Sequence, residues 1–120
     1  MKSKDRGNAG EKFAADYLIN KGYKIIERNK RLGRYEIDII AEKEKTLCFF
    51  EVKTRSENSW DSNLNSWGRK QKHRFLKAVK IYLTENNLWY KKDIRLDFIS
   101  VDSKNWGIVH IENAINEQVD

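Results

Sequence analysis

Two neighbouring stretches decide how this chain folds: Tyr35-Glu36-Ile37-Asp38-Ile39-Ile40-Ala41, residues 35–41, and Leu47-Cys48-Phe49-Phe50-Glu51-Val52-Lys53, residues 47–53. Both are rich in β-branched or aromatic residues, which is typical of β-strands. A short charged turn, residues 42–45, separates them. The two stretches therefore predict an antiparallel hairpin whose apolar strands are interrupted by three acids and one lysine.

Side chains alternate between the two faces of a β-strand, and this sorts the charged residues of both stretches. In the first strand, Glu36 and Asp38 share one face. The other face is predicted to carry the apolar residues Ile37, Ile39 and Ala41. In the second strand, Glu51 and Lys53 share one face. Charges in such apolar strands are costly unless they gain a partner or a metal ion, so these residues are candidates for a functional site.

The turn of the hairpin sets which residues face each other. A turn centred between residues 44 and 45 places Asp38 opposite Glu51, and it places Glu36 opposite Lys53. Opposed residues have Cβ atoms about 4.5–5.5 Å apart, and two carboxylates that close repel each other in an apolar setting. Mg²⁺ between them removes the repulsion, and one of its waters can be a nucleophile that Lys53 orients or helps to deprotonate. The alternative is two salt bridges on a solvated sheet face.

Two further polar residues fall on the apolar faces of predicted helices. Glu11 lies on the apolar stripe of a helix that begins at Gly10, so its carboxylate can reach the same metal ion. Acids also favour the first helical turn because of the helix dipole, and this alternative stays open. Gln71 lies on the apolar face of a helix over residues 69–84, where it can hydrogen-bond a metal-bound water or a phosphate, or be exposed to solvent.

Basic residues crowd the start of that second helix. The cluster consists of Arg69, Lys70, Lys72, His73 and Arg74. Both positive charge and the helix dipole favour phosphate there, so these residues and Arg55 are assigned to the backbone of a nucleic acid, with a solvated helix end as the alternative. Trp60 and Trp67 lie in the preceding Ser- and Asn-rich loop, and they can stack on unpaired bases or fold back onto the core.

Length and composition bound the class of protein. The 120 residues predict a single domain, residues 1–120, with residues 1–8 disordered. Lys and Arg total 24 against 18 Asp and Glu, and the net charge of +6 favours polyanions such as nucleic acid, although it also serves solubility. Cys48 is predicted to be a small core residue. Since the chain has neither a signal peptide nor an apolar run of membrane-spanning length, a cytoplasmic protein is expected.

The remaining patterns give the order of the elements. Helices are predicted from Gly10 to Lys21 and over residues 69–84, and strands over residues 23–28, 35–41, 47–53, 94–101 and 108–111, with a polar turn over residues 29–33. The second helix should bury Phe75, Ala78, Val79, Tyr82 and Leu83. The fold class is therefore α/β or α+β, with a mixed sheet in the order α-β-β-β-α-β(-β).

The joint pattern resembles a known family. The matching stretches are Gly10-Glu11 before Ala14-Ala15-Asp16-Tyr17-Leu18 with Gly22-Tyr23 after it, Gly33-Arg34-Tyr35-Glu36-Ile37-Asp38-Ile39-Ile40-Ala41, Phe49-Phe50-Glu51-Val52-Lys53-Thr54-Arg55, and Arg95-Leu96-Asp97-Phe98-Ile99-Ser100-Val101. Over about residues 7–102 the chain resembles the YraN-like family of uncharacterised bacterial proteins. That family looks like a branch of the PD-(D/E)XK, restriction-endonuclease-like superfamily and is similar to archaeal Holliday-junction resolvases.

This resemblance implies a mixed central sheet flanked by helices, with catalytic roles for residues already singled out. It implies that Asp38 and Glu51 fill the metal-binding positions, that Lys53 is the catalytic lysine and that Glu11 matches an acid on the first helix of related resolvases. The polar helix position after the motif aligns with Lys70, Gln71 or Lys72, and Gln71 is the residue chosen here. The chain departs from the pattern at Tyr35, where the family usually has Gly, and a bulky side chain there is expected to narrow the approach to the site.

Three functions follow as hypotheses. The first is a Mg²⁺- or Mn²⁺-dependent nuclease acting on DNA, including branched or damaged DNA, in which Glu36 tunes Lys53. The second is a non-catalytic nucleic-acid-binding module on a nuclease-like fold. The third is a scaffold that binds a protein through its Trp-bearing loop. A homodimer is left open, since related nucleases often act as dimers on the two strands of a duplex.

Overall fold

Five strands form one mixed sheet with a helix on each face. The computed structural model describes residues 3–56 and 67–115, except for the side chains of residues 3–6. Its elements are α1 (Ser3–Asn20), β1 (Lys24–Leu32), β2 (Tyr35–Lys43), β3 (Thr46–Arg55), α2 (Arg69–Glu85), β4 (Asp93–Asp102) and β5 (Gly107–Ile111). The predicted α+β class and element order are thereby confirmed. Within the described ranges, neither helix is long and apolar enough to cross a membrane.

The strands lie in the sheet in the order in which they occur in the chain, β1-β2-β3-β4-β5. Neighbours are antiparallel except for β3 and β4, which are parallel and are connected through α2. Each face of the sheet carries its own apolar cluster. The cluster under α1 includes Leu18 and Phe50, and the cluster under α2 includes Phe49 and Val79. Both faces are therefore covered along β3, the central strand of the sheet.

Helix α1 begins at Ser3, not at Gly10 as predicted, and it ends with a glycine cap. The N–H of Tyr23 donates to the carbonyl of Leu18, and the N–H of Gly22 donates to that of Ile19. This is the Schellman arrangement, which needs a left-handed residue, and Gly22 has φ +94°. Helix α2 buries the five residues that its periodicity predicted: Phe75, Ala78, Val79, Tyr82 and Leu83.

Strand β1 is longer than predicted, and the expected turn over residues 29–33 is wrong. The strand continues to Leu32, which pairs with Tyr35 across a turn at Gly33 and Arg34. Gly33 has φ +67°, a conformation that costs glycine little. The polar residues that suggested a loop belong to β1, an edge strand of the sheet. An edge strand pairs with one neighbouring strand only, and its polar side chains can face solvent. Composition alone therefore misplaced the turn.

The β2–β3 hairpin has the predicted register but not the predicted faces. Lys43 pairs with Thr46 around the turn, and Glu44 and Lys45 have φ +50° and +72°, as a two-residue type I′ turn requires. The ladder runs only as far as Ile39 paired with Phe50. Ile37 packs with the cluster under α2, whereas Ile39 packs with the cluster under α1 on the opposite face together with Ala41. The alternation therefore shifts at Asp38.

At that point the sheet divides, and we call the gap the fork. Residues 35–37 of β2 stay paired with β1, and residues 51–55 of β3 stay paired with β4. No β2–β3 pairs occur in the ladder beyond Ile39, among the strands that the structure describes. The fork lies between the two acidic stretches from which the sequence predicted a site.

A buried carboxylate lies in the middle of β4. Asp97 is fully buried, and it accepts hydrogen bonds from Arg95 Nε at 3.0 Å and from the backbone N–H of Asn113 at 2.9 Å. His110 Nε2 lies 2.7 Å from Asp97 Oδ2 and donates to it, which leaves His110 Nδ1 to accept from the Tyr17 hydroxyl at 3.1 Å. Asp97 thus ties β4 to β5 and, through His110, to α1.

These contacts predict a large effect of Asp97 on stability. Asp97→Ala leaves Arg95 and His110 without their shared acceptor, and we expect the free energy of unfolding in urea to fall by about 3–5 kcal/mol. Asp16→Ala removes an exposed ion pair with Lys12 on α1 and should cost about 0–1 kcal/mol. Equal losses in the two variants would show that the network does not stabilise the fold.

The same comparison has a defined pH dependence. Burial alone would raise the pKa of Asp97, but the hydrogen bonds from His110, Arg95 and Asn113 outweigh burial and lower it. Stability from a depressed carboxyl pKa is present above the unfolded value and is lost as the pH falls through the folded value. The gap between wild type and Asp97→Ala should therefore shrink below about pH 4, the range of an unperturbed Asp. A gap that stays constant from pH 7 to pH 2 would contradict this.

Candidate active site at the fork

Asp38 occupies the point where β2 and β3 separate. Its Oδ2 accepts the backbone N–H of Val52 at 2.8 Å. A backbone N–H freed by the end of the ladder needs a new acceptor, and the carboxylate supplies it. This bond holds the half-buried Asp38 side chain against the start of the diverging segment of β3, beside Glu51.

Glu51 and Lys53 extend from β3 into the same space. Lys53 Nζ lies 3.6 Å from Glu51 Oε2, and the side chains are 30% and 18% exposed for Lys53 and Glu51. The Val52 N–H that Asp38 accepts holds the Asp38 carboxyl group beside the neighbouring residue, Glu51. Two acids and one amine therefore converge in one partly buried site.

The electrostatics of this pair are unfavourable to two negative charges. Burial, followed by the charge of Glu51, holds the pKa of Asp38 well above its usual range, despite the N–H donated by Val52. Burial also raises the pKa of Glu51, although Lys53 opposes the shift. Carboxyl groups whose pKa is shifted by burial and by a neighbouring charge, and which lie at a cavity, are characteristic of functional sites.

Glu11 approaches the fork from α1. Its pKa is raised by burial and then by Glu36, while Arg28 and the Asn29 side chain on β1 oppose the shift. The charge of Glu11 in turn raises the pKa of Asp38 and of Glu51. Its Oε1 atom is buried and has no hydrogen-bond partner among the described residues. Glu11 is thus near both acids and has an acceptor to spare.

The position of α1 depends on a residue without a side chain. A Cβ atom added to Gly10 would lie 2.8 Å from Thr54 Cγ2 and 2.9 Å from Thr54 Cβ, closer than real Cβ contacts. Gly10 therefore allows α1 to approach the diverging end of β3. This approach brings the next residue, Glu11, to the fork.

A cavity of about 220 Å³ opens beside the acids, between the sheet and α2. Its walls include Glu36, Glu51, Lys53 and Gln71. Gln71 Oε1 is buried and, like Glu11 Oε1, lacks a hydrogen-bond partner within residues 3–56 and 67–115. Glu36 is exposed and pairs in the β1–β2 ladder with Arg31, not with Lys53. The predicted opposition of Glu36 and Lys53 does not occur in the ladder, because the strands have already separated.

The carboxyl oxygens at the fork are the kind of ligand that a small hard cation such as Mg²⁺ prefers. Within the described part of the chain, no three or more acidic, His or Cys side chains form a ready-made metal centre. The predicted three-acid set of Asp38, Glu51 and Glu11 is thus near the fork but not closed into one centre. Mg²⁺ needs less, because it often binds through one or two carboxylates and keeps several waters. Two neighbouring carboxyl groups, those of Asp38 and Glu51, and the unpartnered Glu11 Oε1 fit that requirement.

The residues predicted to bind nucleic acid divide into two groups. Arg69, Lys70 and Arg74 of α2 line a cavity of about 840 Å³ that we call the basic groove. Its other lining residues are His73 and Lys77 of α2, Arg34 of the β1–β2 turn and Tyr35 at the start of β2. Lys72 instead lies over the Trp67 ring, 5.5 Å from its centroid. Arg55 is exposed at the end of β3 and does not line the groove.

The two tryptophans have different outcomes. Trp67 is 2% exposed and stacks on Phe98 with ring centroids 4.8 Å apart. It is a core residue and is not available to bases. Trp60 lies outside the described residues, so its role stays a prediction.

Sequence reasoning missed the β1–β2 turn as part of the site. Arg34 and Tyr35 line both the basic groove and the smaller cavity at Glu51. The misplaced turn at residues 29–33 hid the role of Arg34, whereas Tyr35 was predicted to narrow the approach to the site but not to line a groove. The pair Leu32 and Tyr35 around Gly33 was the available signal, since a two-residue turn with glycine favours a hairpin.

Comparison with known families decides the relationship. Residues 10–101 match the model of UPF0102, described as an uncharacterised protein family. This chain belongs to UPF0102. A UPF0102 protein of Clostridioides difficile is 40% identical over 95% of this chain and 99% of its own length. One from Carboxydothermus hydrogenoformans is 35% identical over 97% and 99% of the two chains. The predicted YraN-like family is thereby confirmed, and its two acidic stretches lie within the matched region.

Among solved structures, the chain is similar to SfsA of Pyrococcus furiosus in complex with Ca²⁺. The TM-score is 0.33 and the identity 16%, with 93% of this chain and 64% of the SfsA chain covered. The PD-(D/E)XK superfamily remains a prediction with which the fold is consistent.

The Gly10 contact yields a prediction for two matched glycines of α1. Gly10→Ala forces α1 away from Thr54, and we expect a loss of about 1–3 kcal/mol in the free energy of unfolding, typical of overpacking. A Cβ at Gly7 meets no atom within 4 Å, so Gly7→Ala should gain up to about 1 kcal/mol from helix propensity. Urea denaturation of both variants measures the difference. Stabilisation by both substitutions would show that α1 does not need the close approach.

Proposed function

We propose that this UPF0102 protein is a Mg²⁺- or Mn²⁺-dependent nuclease that hydrolyses DNA phosphodiester bonds at the fork. The observation that supports it most is the convergence of Asp38 with the Glu51–Lys53 ion pair where the sheet divides. Burying acids together costs stability, and proteins retain such arrangements chiefly at functional sites. A divalent cation held by the two carboxylates would supply Lewis acidity and an activated water.

Each residue has a role that its position allows. Asp38 and Glu51 hold the cation, and Asp38 is itself fixed by the N–H of Val52. Lys53, on the same side of β3 as Glu51, orients the attacking water and stabilises negative charge that develops on the phosphate. Glu11 and Gln71 accept hydrogen bonds from waters around the cation, through the buried oxygens that lack other partners. Glu36 lines the same cavity as Lys53 and adds a negative charge that favours the positively charged lysine side chain.

DNA is the proposed substrate because of the charge beside the acids. Arg69, Lys70 and Arg74 line the basic groove, and Arg74 also lines the cavity at Glu51. Cations of this kind neutralise backbone phosphates and position a strand without reading its sequence. Lys72 and Arg55, which are outside the groove, extend the positive surface. Branched or damaged DNA and a homodimer remain hypotheses for the natural substrate and assembly.

A cleavage assay tests the proposal. Purified protein should nick supercoiled plasmid and labelled oligonucleotides with Mg²⁺ or Mn²⁺ but not with EDTA. Asp38→Asn should abolish cutting, and Lys53→Met should slow it by at least about 10²-fold, the size of effect expected for a group that stabilises transition-state charge. Asp16→Asn changes an exposed acid of α1 and should cut like wild type. Cutting by Asp38→Asn at the wild-type rate would contradict the assignment.

The rival function is a DNA-binding module without catalysis, and the basic groove is the observation that favours it. On this alternative, affinity for DNA falls with salt at a log–log slope of about −0.9 per phosphate neutralised. Chelator would then change nothing, and no variant of Asp38 would differ from wild type in a nuclease assay. Binding with that salt slope together with absent metal-dependent cutting selects the rival.

A further inference from the structure

The basic groove lies between the β1–β2 hairpin and helix α2. One wall is the β1–β2 hairpin, with Arg34 and Tyr35, and the other is the first half of α2, with Arg69, Lys70, His73, Arg74 and Lys77. No acid lines this groove among the described residues. At about 840 Å³ it lies within the range of pockets that enclose a ligand of drug size, roughly one or two nucleotides.

The start of α2 adds to this positive field at a cost to the helix. Gly68 precedes the helix and offers no side-chain cap, and the first turn carries no acid. Cations in the first turn oppose the helix dipole, whereas an anion there would be favourable. Local helix stability is therefore sacrificed where the groove begins, as is common at sites that bind a ligand.

The groove leads directly to the acids. Arg34, Tyr35 and Arg74 line both the basic groove and the cavity that contains Glu51 and Lys53. A DNA strand bound in the basic groove would therefore extend into the cavity that contains Glu51 and Lys53. A nucleotide in contact with Tyr35 would lie next to the phosphodiester bond that is cut.

Tyr35 is the aromatic wall of this path. It is half-buried, its inner part packs against the cluster under α2, and its hydroxyl accepts a hydrogen bond from Arg34 Nη2 at 3.4 Å. The Arg34 guanidinium lies 5.4 Å from the ring centroid. Aromatic rings set among cations are the common means of holding unpaired bases, because every base has a face to stack and each phosphate needs a cation. In a blunt duplex those faces are already stacked on each other.

We propose that the basic groove binds an unpaired DNA strand that adjoins the scissile phosphate, with a base stacked on Tyr35 and phosphates held by Arg34 and Arg74. The inference rests on the proposed function for the identity of the ligand as DNA. It goes further by naming the substrate class as DNA with a single-stranded segment, such as a flap or splayed arm.

Binding without catalysis tests the inference. In EDTA, where no metal-dependent cutting can occur, fluorescence anisotropy measures the affinity for a single strand, a splayed-arm DNA and a blunt duplex. Tyr35→Leu keeps apolar packing but loses the ring, and it should weaken binding of the first two DNAs by about 5- to 150-fold, the range for one stacked base. Tyr35→Phe keeps the ring and should bind like wild type. The blunt duplex should bind equally to all three proteins.

Two further measurements make the outcome decisive. A 2-aminopurine base in the single strand should be quenched by wild type and Tyr35→Phe, and not by Tyr35→Leu. Tyr90→Leu is the matched control, because Tyr90 is fully exposed and does not line the groove. Thermal melts of each variant exclude unfolding. Equal affinity losses for all three DNAs, or quenching that survives in Tyr35→Leu, would overturn the inference.

The result is separable from that of the cleavage assay. Tyr35-dependent binding of single strands without metal-dependent cutting would remove the proposed catalysis and leave the strand-binding groove standing. Metal-dependent cutting of blunt duplex with no effect of Tyr35 would preserve the nuclease and remove the groove's proposed role.

Discussion

The hydrogen bond from the Val52 N–H to Asp38 Oδ2 is the contact on which the arrangement of this protein depends. Sheets avoid ending a ladder in the interior, because each freed backbone group needs a new partner. Here the partner is a side chain that would otherwise be costly to bury. The same carboxylate therefore satisfies the backbone at the fork and adds a negative group beside Glu51. The structural role and the proposed chemical role are inseparable at this residue.

Several interactions around the fork are unfavourable to folding, and favourable interactions in the rest of the fold offset their cost. Asp38 and Glu51 crowd each other, and α2 begins with cations at the positive end of its dipole. The offsetting terms come from the apolar clusters on both faces of the sheet and from the hydrogen-bond network of Asp97 in the middle of β4. This division is what a site under functional constraint on a stable scaffold would produce.

Much of the fold could be predicted from the sequence, because local patterns decide it. The register of the β2–β3 hairpin followed from the position of its two-residue turn, and the buried face of α2 followed from its helical period. The faces of β2 could not be predicted, because the alternation shifts at Asp38, where a side chain replaces a strand as the bonding partner. The length of β1 was hidden by its polar edge-strand composition. These failures arise from tertiary partners that local patterns do not contain.

The site, like the fold, could be predicted where local sequence patterns determine it. Asp38, Glu51 and Lys53 stood out as charges in apolar strands, and the structure brings them together. The groove that Arg34 and Tyr35 form opposite α2 depends on where the β1–β2 turn lies in space, so the sequence predicted only that Tyr35 narrows the approach to the site. The approach of Glu11 depends on Gly10 packing against Thr54, a contact between elements far apart in the chain.

Calorimetric titration of Mn²⁺ into the wild-type protein and Asp38→Asn tests the central claim most directly, with Asp16→Asn as the control for loss of an exposed acid. A saturable Mn²⁺ site in wild type and Asp16→Asn that is lost in Asp38→Asn is the predicted result. Identical titrations for all three proteins would contradict the claim that acids converging at the fork hold a divalent cation.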